Sequence, residues 1–187
     1  MTPAQRHDVV DKIVSDHHEF EDVFKELEKH EGAAQHRRDL VEHVIAGIVR
    51  HAVSEEQYVY PAARRVLENG DEIVEHEIEE HSKAEEVMNE IEKCNTEDPK
   101  FDELVDKLID DIRHHIEDEE ENLLPKLRQA CDSAELQELG EKFETAKKMA
   151  PTRPHPMAPD RPPANRILGP GAGLVDRLRD ALSGRNS

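Results

Sequence analysis

Apolar residues recur along most of this chain at helical intervals, with charged residues filling the positions between. Val9, Ile13, Phe20, Phe24 and Leu27 are spaced by three, four or seven, which puts them on one face of a helix reaching about Lys29. Thr2-Pro3 reads as the N-cap and first turn of that helix, and Glu31-Gly32 as its end. Leu40, Val44 and Ile48 open a second stripe, in a helix from about Gln35 to Leu67 that should kink or break at Pro61. Asn69-Gly70-Asp71 signals a turn. Ile73, Met88 and Ile91 mark a third helix, about Glu72 to Lys93, and Leu104, Leu108 and Ile112 a fourth, about Lys100 to Ala130. Ser133 to Met149 reads as a shorter fifth. A Pro-rich segment beginning at Pro151 cannot be helical throughout. Residues 173–183 then carry Leu174, Val175, Leu178 and Leu182 on one side. That tail is expected either to be disordered or to dock on the bundle or on a second subunit.

Each stripe is interrupted by groups that do not belong in an apolar core. His17 falls in the first, His51 and Glu55 in the second, Glu77 and His81 in the third, and His115 and Glu119 in the fourth. Two of these stretches are copies. His51-Ala-Val-Ser-Glu55-Glu56-Gln-Tyr58-Val-Tyr60-Pro61 returns 64 residues later as His115-Ile-Glu-Asp-Glu119-Glu120-Glu-Asn-Leu-Leu-Pro125. At the same offset His17 maps to His81, Glu21 to Glu85, Val23 to Val87, Lys29 to Lys93, Ile48 to Ile112 and Arg64 to Arg128, without a gap. The chain therefore predicts an all-α, up-down-up-down four-helix bundle built from two repeated helical hairpins. Residues 1–130 form the bundle, 131–150 an additional helix, and 151–187 the Pro-rich linker and short amphipathic helix.

The spacing has geometric content. His17 to His51 and His81 to His115 are both 34 residues apart. From His17 to the turn is ~22 Å at 1.5 Å per residue, and the return leg is about as long. Four imidazoles and two carboxylates should thus share one layer. The leg from His51 to Gly70 is longer than that from Gly70 to His81, so Pro61 must absorb the difference by a bend, or the layer is not flat.

Composition narrows the function. The formal charge of −19 opposes binding to nucleic-acid backbones or anionic membranes and favours cations. The tail is mildly basic, with six Arg against three Asp in residues 151–187, so the acidity belongs to the helices. Cys94 and Cys131 form no CxxC pair, and the N-terminus carries no apolar signal region. A cytoplasmic protein is the default expectation. Twelve histidines without a His tract point to metal binding or proton chemistry.

A lone His-x-x-x-Glu on an acidic helix is an exposed pair contributing tenths of a kcal/mol. Here the motif lies in the apolar stripe, twice, with His17 and His81 at matched depth. Buried without partners, each group would cost several kcal/mol, and a shared cation removes that cost. Imidazole with carboxylate suits Fe, Mn or Zn. Glu-x-x-His and His-Glu-x-x-His are absent, which disfavours the ferritin-like oxidases and zinc proteases. His18 and His114 map onto Ser82 and Arg50 and are read as surface or outer groups; His7, His30, His36, His43 and His155 are read as solvent-facing.

The pattern resembles the hemerythrin-like, or His-His-Glu cation-binding, family. The residues that carry the resemblance are Asp16-His17, His51-x-x-x-Glu55 with Tyr60-Pro61, Glu80-His81, and His115-x-x-x-Glu119 with Pro125. The Pro-rich tail is similar to that of actinobacterial relatives. The resemblance implies a non-haem di-iron centre, two irons per chain with an oxo or hydroxo bridge. It implies His17 and His51 on one iron, His81 and His115 on the other, and Glu55 and Glu119 bridging. A small oxidant (O2, hydrogen peroxide or NO) is the expected ligand or substrate, and a monomer or homodimer the expected assembly. Oxygen carriers of the family have another His four residues before the third-helix ligand. Glu77 stands there instead, with His76 beside it, and both are candidates for additional ligands. So is Tyr58, at i+3 from Glu55. Catalase-like peroxide removal, an iron or oxygen sensor or store without turnover, and a metal-free acidic interaction module are the competing functions.

Overall fold

The computed structural model describes residues 8–155, 172–176 and 180. Helix α1 spans Val9–Leu27 and opens at Asp8; Thr2-Pro3 lie outside the described residues. The Asp8 carboxylate accepts from the Asp11 N–H at 3.0 Å, and that of Asp11 accepts from the Asp8 N–H at 3.3 Å. This reciprocal cap satisfies amide donors that the first turn leaves orphaned. The chain reverses through His30 and Gly32, both in the left-handed region at φ 50° and 97°. Helix α2 (Ala34–Ser54) follows, then a π-helical turn (Glu55–Val59) and helix α3 (Tyr60–Val66). Helix α4 (Gly70–Lys93) and helix α5 (Pro99–Asp118) form the second hairpin. A second π-helical turn (Glu119–Leu123) leads into helix α6 (Leu124–Ala130), and helix α7 spans Ser133–Met149.

The two π turns replace the kink expected at Pro61. A proline has no N–H to give the carbonyl four residues back and crowds it sterically. The helix responds with a wider turn. The Tyr60 N–H reaches the Glu55 carbonyl, five residues back, and the Leu124 N–H reaches that of Glu119. Each turn is closed by the proline that follows it, Pro61 or Pro125, so the repeat encodes the distortion twice.

Helix α1 packs on α2 and α4 on α5, and the two hairpins meet along α1–α5 and α2–α4. Their union has a pseudo-twofold character that explains why Arg64 and Arg128 repeat. Arg128 Nη2 bonds Asp11 at 2.7 Å and Arg64 Nη2 bonds Glu75 at 2.5 Å, each arginine reaching into the other hairpin. Asp11 and Glu75 are themselves 64 positions apart.

The apolar stripes assemble two clusters rather than one. The first gathers Phe20, Phe24, Val44, Ile45, Ile48, Met88, Ile91, Phe101, Leu108 and Ile112 near the hairpin turns. The second gathers Val9, Ile13, Val59, Tyr60, Val74, Leu123, Leu127, Leu139 and Phe143 at the other end. Along α1 the order is second cluster, Asp16-His17, first cluster; along α5 and α6 it is first cluster, His115 to Glu119, second cluster. The buried polar residues therefore form a layer across the bundle. Helix α7 lies on α1 and α2 and closes the second cluster with Leu136, Leu139 and Phe143. A Cβ at Gly140 would sit 3.1 Å from the Val9 backbone nitrogen, so glycine permits the close approach of α7 to α1.

Beyond α7, Thr152, Arg153 and His155 meet Asp176 and Asp180. The Thr152 hydroxyl donates to Asp180 at 2.6 Å, and His155 Nε2 lies 2.9 Å from Asp176. The His155 amide donates to Glu85 of α4 at 2.7 Å, so this part of the tail docks on the bundle, and His155 is half-buried rather than solvent-facing. Leu174 and Val175 are exposed; Leu178 and Leu182 lie outside the described residues. No helix among the described residues is long and apolar enough to cross a membrane.

Candidate metal centre

The polar layer brings together the six groups that the sequence singled out. His17, His51, Glu55, His81, His115 and Glu119 are all at most 8 % exposed, and both glutamates are fully buried. His51 Nε2 lies 3.1 Å from Glu55 Oε1, His17 Nε2 3.4 Å from Glu119 Oε2, and His81 Nε2 3.6 Å from Glu55 Oε2. The Nε2 atoms of His81 and His115 are 3.1 Å apart. His17, His51, Glu55 and Glu119 form one group with metal-ligand spacing, and Glu55, His81 and His115 a second that shares Glu55.

Outer carboxylates set the orientation of every imidazole. His17 Nδ1 lies 2.7 Å from Glu120, His51 Nδ1 2.9 Å from Asp16, His81 Nδ1 3.1 Å from Glu56, and His115 Nδ1 3.1 Å from Glu80. An ionised carboxylate only accepts, so each Nδ1 carries a proton, and a ring that is neutral, as a metal ligand must be, turns an Nε2 lone pair inward. The four carboxylates are two repeat pairs, Asp16 with Glu80 and Glu56 with Glu120. That shared offset of 64 is a signal the sequence offered for all four, whereas reading the helix faces alone finds only the inner groups.

Whether these residues suit a cation is decided by what they lack. Among the described residues, His17 Nε2, His51 Nε2 and both oxygens of Glu55, Glu77 and Glu119 are buried without a hydrogen-bond partner. Such groups cost free energy unless something of opposite charge holds them. The donor set is imidazole and carboxylate with no thiolate, the chemistry of iron, manganese or zinc. In the absence of a cation the layer answers its crowding with protons. Burial alone would depress His51, but Glu55 and Asp16 outweigh it and hold it up at about 10. Burial likewise opposes a proton on His17 and His115, and Glu119 with Glu120, and Glu77 with Glu80, raise them above the ordinary imidazole value. His81 goes the other way, lowered by burial and then by the His115 charge.

The candidates for additional ligands separate. Tyr58 is half-buried and packs against the second apolar cluster. The phenol at the layer belongs to Tyr60, whose oxygen lies 3.1 Å from His81 Nε2. The extra residue in the π turn causes this exchange: i+3 from Glu55 leaves the ligand face, and the position five residues on takes its place. Burial, then Glu55 and Glu119, push the Tyr60 hydroxyl well above its ordinary value, so it is neutral without a cation. Glu77 is fully buried, with Oε2 3.1 Å from His115 Nδ1. His76 is 53 % exposed and reaches Glu80 at 3.5 Å, outside the buried layer.

Two contributors from α7 went unread in the sequence. Phe143 and Phe20 each stand edge-on to His51 with centroids 5.5 Å away, walling it on two sides. Lys147 Nζ lies 2.6 Å from both oxygens of Asp16, the carboxylate that orients His51. Nothing in the helical periodicity of residues 133–149 distinguishes these two from ordinary members of an amphipathic helix.

Comparison with known proteins agrees with this architecture. The model of the hemerythrin HHE cation-binding domain matches residues 8–127, which leaves α7 with Phe143 and Lys147 outside the matched region. An uncharacterized hemerythrin-like protein of Schizosaccharomyces pombe is 32 % identical over 136 residues, covering 72 % of this chain and 67 % of that one. A DNA nickase of Nostoc is 24 % identical over 139 residues, 74 % of this chain but 39 % of that protein. The crystal structure of a hemerythrin HHE cation-binding domain-containing protein from Mycobacterium kansasii superimposes with a TM-score of 0.66 at 16 % identity. It covers 76 % of this chain and 86 % of that one, a likeness of fold. With its buried His/Glu layer between two repeated hairpins, this chain belongs to the hemerythrin HHE cation-binding family.

Proposed function

We propose that this protein holds two iron ions in the polar layer and uses them to bind or turn over a small oxidant: O2, hydrogen peroxide or NO. The observation that carries the reading is the set of buried, unpartnered oxygens and nitrogens of Glu55, Glu119, His17 and His51 facing one another between two apolar clusters. His17 and His51 would hold one iron, His81 and His115 the other, and Glu55 and Glu119 would span the two, with Tyr60 and Glu77 the further groups within reach. When bound, an iron pair supplies one-electron and two-electron redox chemistry and coordination positions for a small oxidant.

The chain's own residues do the rest. Glu120, Asp16, Glu56 and Glu80 fix the four rings through their Nδ1 protons. Phe20 and Phe143 exclude water from the His51 side. The Tyr60 hydroxyl places a proton at the layer, beside His81. Catalase-like removal of peroxide fits a layer in which Glu77 occupies the place of a further imidazole.

The test is metal content and the ultraviolet–visible spectrum of protein from iron-supplemented cells, before and after peroxide. Two irons per chain with near-ultraviolet charge-transfer bands that change and recover, accompanied by O2 evolution, are expected. A colourless protein that stays iron-free after anaerobic reconstitution refutes the metal reading; stable bands without O2 evolution refute the catalase-like part.

A further inference from the structure

We infer that the chain has a third, weaker cation position at Glu77 and Glu80, a transit site through which metal ions pass from solvent into the buried layer. It rests on the metal-binding reading above. Glu77, Glu80 and His115 form a group with metal-ligand spacing, offset from the two inner groups and joined to them through His115. Both Glu77 oxygens are buried without a hydrogen bond among the described residues, and His115 Nδ1, 3.1 Å from Oε2, is already held by Glu80. Glu80 points both ways. Its Oε2 holds His115, while its Oε1 faces His76 Nε2 at 3.5 Å and His114 Nε2 at 3.6 Å. His76 and His114 are exposed, and His76 also lies 3.7 Å from Asp118. His76 and Asp118 line a surface groove of about 720 Å³. Cation-binding groups thus run without a gap from solvent to His115.

The other hairpin lacks this route. At the offset of 64, His76, Glu77, His114 and Asp118 correspond to Lys12, Ile13, Arg50 and Ser54, and the counterpart of Glu80, Asp16, is covered by Lys147. Two arginine or lysine charges and an apolar side chain stand where the first hairpin would need ligands, so a cation approaches from one side only. The position is for passage rather than residence. A cation seated between Glu77 and Glu80 competes with the His115 Nδ1 proton for Glu80, so its occupancy loosens a ring that the inner layer needs.

The experiment is anaerobic stopped-flow addition of Co(II) to metal-free full-length protein, following the absorbance of the ion as it enters the layer. The double variant His76→Ala/His114→Ala should load about tenfold more slowly, because the two imidazoles that would hand the ion to Glu80 are gone, a loss at the lower end of what removing a partner of a metal ligand causes, while reaching the wild-type stoichiometry and final spectrum. His30→Ala/His36→Ala, on exposed histidines elsewhere, should load at the wild-type rate. Equal loading rates for wild type and the His76/His114 variant overturn the transit site and leave the metal layer standing. A wild-type protein that takes up no Co(II) or iron overturns both.

Discussion

Replacing Asp16 by alanine separates the two halves of the layer. Asp16 holds His51 Nδ1 at 2.9 Å and is itself held by Lys147, with no second carboxylate in reach of that ring nitrogen among the contacts seen. Glu80 is its repeat counterpart on His115, but Glu77 Oε2 lies equally near, at 3.1 Å, and can take over. Losing an outer carboxylate typically weakens metal binding about 10–100-fold, or ~1.4–2.7 kcal/mol. Asp16→Ala should fall in that range for the ion that His17 and His51 would hold, and Glu80→Ala should lose less than about tenfold because Glu77 substitutes. The cost to folding should be large. Lys147 is 24 % exposed and can return to water, but His51 Nδ1 is left buried without its carboxylate, so Asp16→Ala should cost about 3–5 kcal/mol, as for a buried pair broken on one side. Anaerobic Co(II) titration against a competing chelator reads the affinities, and urea unfolding of the metal-free proteins reads the stabilities. Wild-type affinity in Asp16→Ala, or a larger loss in Glu80→Ala, would show that these carboxylates do not orient the rings as the geometry says.

Tyr60→Phe should abolish any visible tyrosinate-to-iron charge-transfer band of the ferric protein, and Tyr58→Phe should leave it unchanged; the reverse would restore Tyr58 to the ligand face. The metal-free protein should lose stability as pH rises. His51 has a folded-state pKa of about 10, above the ordinary 6.5, so its contribution is full below 6.5 and is lost as pH climbs through 10. His17 and His115 act in the same direction, and thermal unfolding at pH 6.5, 8 and 10 with and without metal checks the sign. Leu108→Ala, at a fully buried position in the first apolar cluster, should cost about 2–5 kcal/mol in urea unfolding without changing metal stoichiometry.

Much of this architecture is legible in the chain because two periodicities coincide. The 3.6-residue stripe marks which face of each helix is buried, and the 64-residue repeat marks which polar interruptions of that face belong together. Ser133–Met149 is also readable, since Asp132 caps the helix with bonds to Ala134 and Glu135. What failed is equally physical. The cap of the described helix is Asp8, whose reciprocal bond with Asp11 looks in sequence like two surface acids, while Thr2-Pro3 lie outside the described residues. Lys147 and Phe143 reach the layer through the tertiary placement of α7, which no local pattern carries. Tyr58 and Tyr60 were exchanged because counting in steps of 3.6 assumes an unbroken α-helix across Pro61.

That exchange indicates what the prolines are for. In a regular α-helix the face of Glu55 would continue through Tyr58, and Tyr60 would turn away. The wide turn before Pro61 brings Tyr60 under Glu55 instead, next to His81. The residue 64 positions on from Tyr60, before Pro125, is Leu124, an apolar residue of the second cluster. The same distortion thus carries a phenol in one copy and a hydrocarbon side chain in the other. Pro61→Ala restores an amide that can bond the Gln57 carbonyl, so the turn is expected to relax toward α-helix. Tyr60 should then leave His81, and the ferric protein should lose any tyrosinate band as fully as Tyr60→Phe does. Pro125→Ala, where no phenol is at stake, should keep the band. If Pro61→Ala keeps the band and its wild-type intensity, the π turn is held by the packing of Val59 and Tyr60 in the second cluster, and the proline only follows it.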